Sequence, residues 1–297
     1  MTAFALRGAI TALVTPFLDD GSLDEPALRA LVAWQIAEGI DGLVPVGSTG
    51  EAATLTLAER VRIVTITAEV AAGRVPVIAG AGTNDTAVAI ENSRALGAAG
   101  ATHLLHVSPA YSKPPQRGLV AHFRAVADAS PCPVVLYNVP GRTASNMEVE
   151  TTLALAEHPN IIGMKEASGN IEQVAEIIRR RPPGFAVLSG DDALTLDVMA
   201  LGGEGVISVV SNAVPSAMHA LTAAVASGDM TGARVWHDRL SPLFVAAFLE
   251  SNPIPIKAAL AAMARIHNVL RLPLVPIDER HARSLRAALV TAGALPA

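Results

Sequence analysis

One cysteine, two tyrosines and two tryptophans in 297 residues leave few of the side chains on which disulfide frameworks, metal clusters and aromatic cores are built. Cys132 stands alone between Pro131 and Pro133, which excludes a disulfide framework and a cysteine-ligated metal site and fits a reducing cytoplasm. Aromatics make up only 3% of a chain that is 51% hydrophobic, so the core must be aliphatic, a composition suited to parallel strands buried on both faces. Charge is scarce at 16%, and 27 acidic residues outnumber 22 basic ones. The one basic cluster, Arg179-Arg180-Arg181, falls at an expected helix end, and nothing points to a nucleic-acid partner. Every apolar run is interrupted by Pro, Gly, His or charge before the ~18 residues a membrane span requires. Residues 1–7 lack the basic, apolar and cleavage-site series of a signal peptide. A soluble cytoplasmic protein with no membrane partner is expected.

What is there is a regular alternation. Strand-like apolar runs cover residues 9–14, 42–46, 76–79, 102–107, 134–139, 161–165, 186–189 and 206–210, with helix-length amphipathic segments between them. One such segment opens on the capping box Thr56-Leu57-Ala58-Glu59. Eight strand-helix units in about 225 residues match an α/β fold of the (β/α)8 TIM-barrel type in number and length, where a doubly wound sheet more often stops at five or six strands. After Gly228 the strand signal ends, and residues 230–250, 255–268 and 277–292 read as three helices. The expectation is a catalytic barrel over 1–228 and a helical extension over 229–297 packed on it, with Pro253, Pro255, Pro273 and Pro276 marking tight breaks.

The sixth run, Ile161-Ile162-Gly163-Met164-Lys165, ends on a lysine. Alternation places Ile161, Gly163 and Lys165 on one face, and Asn170 then caps the next helix. In a parallel barrel the carboxyl ends of the strands face one shared pocket, although a strand-end lysine can equally snorkel into water. Three other strand ends carry polar groups: Gly47-Ser48-Thr49-Gly50-Glu51, either a carboxylate-holding turn or an ordinary glycine turn; the loop presenting Tyr111; and Tyr137-Asn138-Val139-Pro140-Gly141-Arg142. Arg142 is a solvated charge or a fork for a carboxylate. Gly80-Ala81-Gly82 lacks the third glycine of a dinucleotide fingerprint, and His103 and His106 point to opposite strand faces, so neither a nucleotide cofactor nor a metal is expected. Ser189-Gly190-Asp191-Asp192 reads as a helix cap. A lysine beside a tyrosine without a cofactor suggests covalent carbonyl chemistry, for which the amine must be neutral, a state costing about 4.6 kcal/mol at pH 7 for an unperturbed lysine.

With Gly47-Ser48-Thr49-Gly50-Glu51, Tyr137-Asn138-Val139-Pro140-Gly141-Arg142-Thr143, Gly163-Met164-Lys165-Glu166-Ala167-Ser168-Gly169, Ser189-Gly190-Asp191-Asp192, Gly205-Val206-Ile207-Ser208 and Asn252-Pro253-Ile254-Pro255-Ile256-Lys257, nearly the whole chain resembles the dihydrodipicolinate synthase and N-acetylneuraminate lyase family of pyruvate-dependent class I aldolases. The resemblance implies a Schiff base on Lys165, proton transfer by Tyr137, a relay through Thr49 and Tyr111, a pyruvate carboxylate held by Ser48 and Thr49, and backbone contact from Ile207. Arg142 resembles the arginine that the synthase branch uses for the carboxylate of L-aspartate 4-semialdehyde. That branch condenses the semialdehyde with pyruvate in lysine and diaminopimelate biosynthesis. A homotetramer with Tyr111 shared across an interface is likewise implied. Ser48 stands where the family more usually has threonine. A sugar-acid or aromatic-aldehyde aldolase is the alternative enzyme, and a silent binding barrel the alternative class. Leu57, Val88 and Ala110 depart from the pattern of relatives that bind lysine as a feedback inhibitor, with Asn84 retained and Arg60 adding positive charge; insensitivity to free lysine is therefore expected.

Overall fold

The computed structural model describes residues 5–296, so residues 1–4 of the opening segment and residue 297 lie outside the description. Among the described residues there are eight strands: β1 Gly8–Ala12, β2 Gly42–Val44, β3 Ile78–Gly80, β4 His103–Val107, β5 Val134–Asn138, β6 Ile161–Glu166, β7 Ala186–Ser189 and β8 Gly205–Ser208. All seven strand pairings are parallel, in the order β2-β1-β8-β7-β6-β5-β4-β3. The ring is drawn together where Leu43 bridges Val77 and the Gly80 amide donates to the Pro45 carbonyl at 3.1 Å. The chain folds as the expected TIM barrel.

Strand bounds differ from the apolar runs by at most two residues at either end, as ladder hydrogen bonds and hydrophobicity measure different things. At β6 the difference matters more. The β5–β6 register slips between Val134 and Val135, which pair with Ile161 and Gly163 and leave Ile162 unmatched. That irregularity resets the alternation. Ile161 packs in the outer layer with Met164, and Ile162 packs against the inner cluster, so Ile161 does not share the face of Lys165. The inner cluster holds Ile10, Val44, Ile78, Val135, Tyr137, Leu188 and Ile207, aliphatic except for one phenol, as the composition required.

The helices follow local chemistry. Thr56 and Glu59 form the full capping box before Leu57–Ala71, and the Asn170 side chain accepts from the Glu172 and Gln173 amides, both at 3.1 Å, at the start of Ile171–Arg180. The three C-terminal helices are Met230–Ala246, Ile254–Ala262 and Glu279–Ala292. The second ends before residue 268 because Ala264 has φ +55°, a left-handed conformation that cannot continue a helix. Leu240, Leu243, Ile256, Leu260, Leu285 and Leu289 from these helices share one continuous core with Leu28, Ile63 and Leu221 from the outer layer of the barrel. Among the described residues no helix is long and apolar enough to cross a membrane.

Candidate active site

Tyr137 and Lys165 lie on adjacent strands in direct register, and the Lys165 Nζ sits 4.5 Å from the centroid of the Tyr137 ring. Both are buried, at 7% and 5% exposure. Burial lowers the Lys165 amine to about 8, against a smaller opposing pull from the Asp192 charge and with a further lowering from Arg142. Burial also pushes the Tyr137 phenol up to about 12, so it stays a proton donor at neutral pH. The β6–β7 side is built for a long side chain. A Cβ at Gly190 would stand 3.0 Å from Lys165 Cε and 2.6 Å from the Ala167 methyl, so glycine there leaves the amine its channel.

Both residues open into a cavity of about 690 Å³ that Ser48, Thr49, Arg142 and Asn252 also line. Its rim after β2 is strained. Val46 and Glu51 both have positive φ, +52° and +55°, and for the β-branched Val46 that is a costly conformation that the surrounding fold must enforce. Between them the two hydroxyls diverge. Thr49 is buried, with its Oγ1 accepting from Asn252 Nδ2 at 2.8 Å, whereas Ser48 is exposed on the cavity wall with no intramolecular hydrogen bond to its hydroxyl among the described residues.

Glu51 ends this loop in a buried ion pair. Its Oε1 accepts from Lys257 Nζ at 2.6 Å and its Oε2 from the Arg271 amide at 3.0 Å, and both charged side chains of the pair have 0% exposure. Arg142 is exposed on the short helix Pro140–Thr143, and its Nη2 donates weakly to the Asn252 carbonyl at 3.4 Å. Two of the residues singled out from sequence lie elsewhere. Tyr111 is 93% exposed at φ +67° and does not line the cavity, although its neighbour Ala110 does. Ile207 is fully buried on β8 beneath the cavity, and Val209 provides the lining on that side.

Four residues near the site were missed. Glu166, one past the expected strand end, is buried and accepts from Asn138 Nδ2 at 2.7 Å and Ser168 Oγ at 2.8 Å, fixing the β5–β6 end; burial raises its carboxyl. Asp191 is the expected cap, accepting from the Ala193 amide at 3.0 Å, but Asp192 is something else. It is buried, its Oδ2 accepts from the Val209 and Val210 amides at 2.9 and 3.1 Å, and its charge bears on Lys165. Asn252 and Lys257 arrive from the C-terminal extension. Only the motif Asn252-Pro253-Ile254-Pro255-Ile256-Lys257 could have flagged them, because more than 200 positions separate each from its partner.

The chain is similar to known proteins over nearly its whole length. The model of the Dihydrodipicolinate synthetase family matches residues 5–292. A 4-hydroxy-tetrahydrodipicolinate synthase of Maridesulfovibrio salexigens is 49% identical over 288 residues, covering 97% of this chain and 98% of the relative. A chloride-inhibited dihydrodipicolinate synthase of Acinetobacter baumannii, solved with pyruvate, superposes with a TM-score of 0.96 at 42% identity, covering 98% of this chain and all of that one. A monomeric dihydrodipicolinate synthase variant superposes equally well, at 0.96 and 41% identity with 97% of each chain covered.

Proposed function

The chain belongs to the Dihydrodipicolinate synthetase family, and on that premise we propose how its residues join pyruvate to L-aspartate 4-semialdehyde to give 4-hydroxy-tetrahydrodipicolinate. The observation that carries the reading is a buried amine, lowered to about 8, against a phenol in a shared cavity. The neutral Lys165 amine adds to the pyruvate ketone. Tyr137 supplies the proton with which the hydroxyl leaves as water, and the phenoxide so formed takes up a methyl proton as the imine becomes an enamine. Enamine carbon attacks the semialdehyde aldehyde; the semialdehyde's own amine then displaces Lys165 and closes the ring.

Thr49 and Ser48 divide the remaining work by their surroundings. Thr49, held by Asn252, suits the pyruvate carboxylate; the uncommitted Ser48 hydroxyl suits proton exchange with Tyr137, a role that the resemblance gave to Thr49. Ile207 contributes through the strand it belongs to. Arg142 takes the semialdehyde carboxylate at the mouth. Arg142→Ala is expected to lower kcat/KM for the semialdehyde 10- to 100-fold, the worth of a charged hydrogen bond of about 1.5–3 kcal/mol, while imine formation with pyruvate persists. Unchanged turnover at limiting semialdehyde would take Arg142 out of the site. The function itself is tested by initial rates with pyruvate and aspartate semialdehyde against a neutral sugar aldehyde: faster turnover of the sugar would move the chain to the sugar-acid branch.

Tyr111 completes the site of a neighbouring subunit in this reading, most simply in a homotetramer. A tyrosine 93% exposed beside its own cavity supports that assignment. Mixing Lys165→Ala with Tyr111→Phe subunits, each inactive alone, should restore about a quarter of the wild-type sites, since half the pairs are mixed and each mixed pair holds one intact site. No recovery after verified exchange would leave every site within one chain.

A further inference from the structure

Asn252 stands in the turn between helices Met230–Ala246 and Ile254–Ala262 and reaches the far wall of the catalytic cavity. Its side chain is 7% exposed, its Nδ2 donates to Thr49 Oγ1 at 2.8 Å, and its Oδ1 is buried with no partner. The direction of that one bond has a chemical meaning. A hydroxyl has a single proton, and a carboxylate only accepts hydrogen bonds. Thr49 can therefore hold a substrate carboxylate through its hydroxyl only if its proton is not already given to the protein. With the Asn252 N–H entering a lone pair of Oγ1, and no acceptor for the Thr49 proton among the described residues, that proton remains available to the cavity.

We propose that Asn252 is a positioning residue that sets the donor direction of Thr49 toward the carboxylate of pyruvate. The inference rests on the reading of Thr49 as a carboxylate holder. It distinguishes donor direction from shape, because Asn252→Asp keeps the shape and reverses the bond. An aspartate carboxylate can only accept, so it draws the Thr49 proton inward and turns lone pairs toward the substrate. Asn252→Leu leaves the hydroxyl untethered but free to donate.

The test titrates pyruvate against borohydride-trapped adduct and steady-state rate for Asn252→Asp and Asn252→Leu, each alone and with Thr49→Val, and records a thermal melt for each. Asn252→Asp is expected to raise half-saturation by pyruvate at least about ten-fold and Asn252→Leu about three-fold, with kcat changed less than KM, as loss of a ground-state contact requires. On Thr49→Val the Asn252→Asp change should shrink to about two-fold or less, since no proton is left to redirect. A structural role alone would make the leucine variant the worse of the two, and that order overturns the proposal. So does a full Asn252→Asp effect on Thr49→Val, which would mean plain charge repulsion. Thr49→Val with unchanged pyruvate saturation would remove Thr49 as the carboxylate holder, a separate failure read from a separate variant.

Discussion

Borohydride reduction in the presence of pyruvate is expected to leave its irreversible adduct on Lys165, and Lys165→Ala to lose both that adduct and at least three orders of magnitude in turnover, about 4 kcal/mol of barrier. The sequence contains three lysines, Lys113, Lys165 and Lys257, so peptide mass spectrometry has only three places to look. Lys113 is exposed and Lys257 is locked onto a carboxylate. At pH 7 an amine titrating at about 8 is neutral in about a tenth of the molecules, against roughly one in three thousand for an unperturbed lysine. Because the folded value is lowered, the neutral fraction climbs about ten-fold per pH unit below 8 and levels above it, and initial trapping rates should follow that curve. Lys165→Arg should be as dead as the alanine variant, since a guanidinium cannot shed its proton. Equal adduct on Lys165→Ala, or trapping that keeps rising to pH 10, would take the nucleophile or its lowered amine out of the account.

The largest stability effect is expected at Lys257. Lys257→Met strands the Glu51 carboxylate in a site with no exposure, a change of 3–5 kcal/mol by analogy with other broken buried pairs. For a chain of this length that is a fall in melting temperature on the order of 10 °C. Adding Glu51→Gln should recover most of it, because the amide keeps an oxygen for the Arg271 N–H and discards the charge. Melts of the single and double variants decide the matter: a single variant within about 2 °C of the parent would show the pair to be dispensable, and a double no better than the single would show that the loss does not come from the stranded charge.

The barrel and its lysine were legible because both are local. Eight apolar runs with helices between them leave few other folds, and a strand-end lysine beside a strand-end tyrosine needs only the order of neighbours to be placed. The β6 face was misjudged at Ile161 because a register slip depends on β5, which no property of the run 161–165 reports. Asp191 and Asp192 look alike in sequence, yet one is a cap and the other a buried acceptor for the amides of Val209 and Val210; only the approach of β8 separates them. Asn252 and Lys257 were invisible to spacing for a simpler reason. Their partners are fixed by the return of the C-terminal helices over the barrel mouth, and hydrogen-bond direction at Thr49 is a property of that return.

The same return sets a schedule for the newborn chain. Thr49 and Glu51 leave the ribosome well before their partners, which follow 203 and 206 residues later, at ~5–20 residues per second about 10–40 s of synthesis. Throughout that interval all eight strands can be made and paired while the rim at Val46 to Glu51 lacks the bonds that hold it. A nascent barrel therefore carries its reactive amine without its finished substrate grip, and carbonyl metabolites meet a complete grip only once the helices that bring Asn252 and Lys257 have been made.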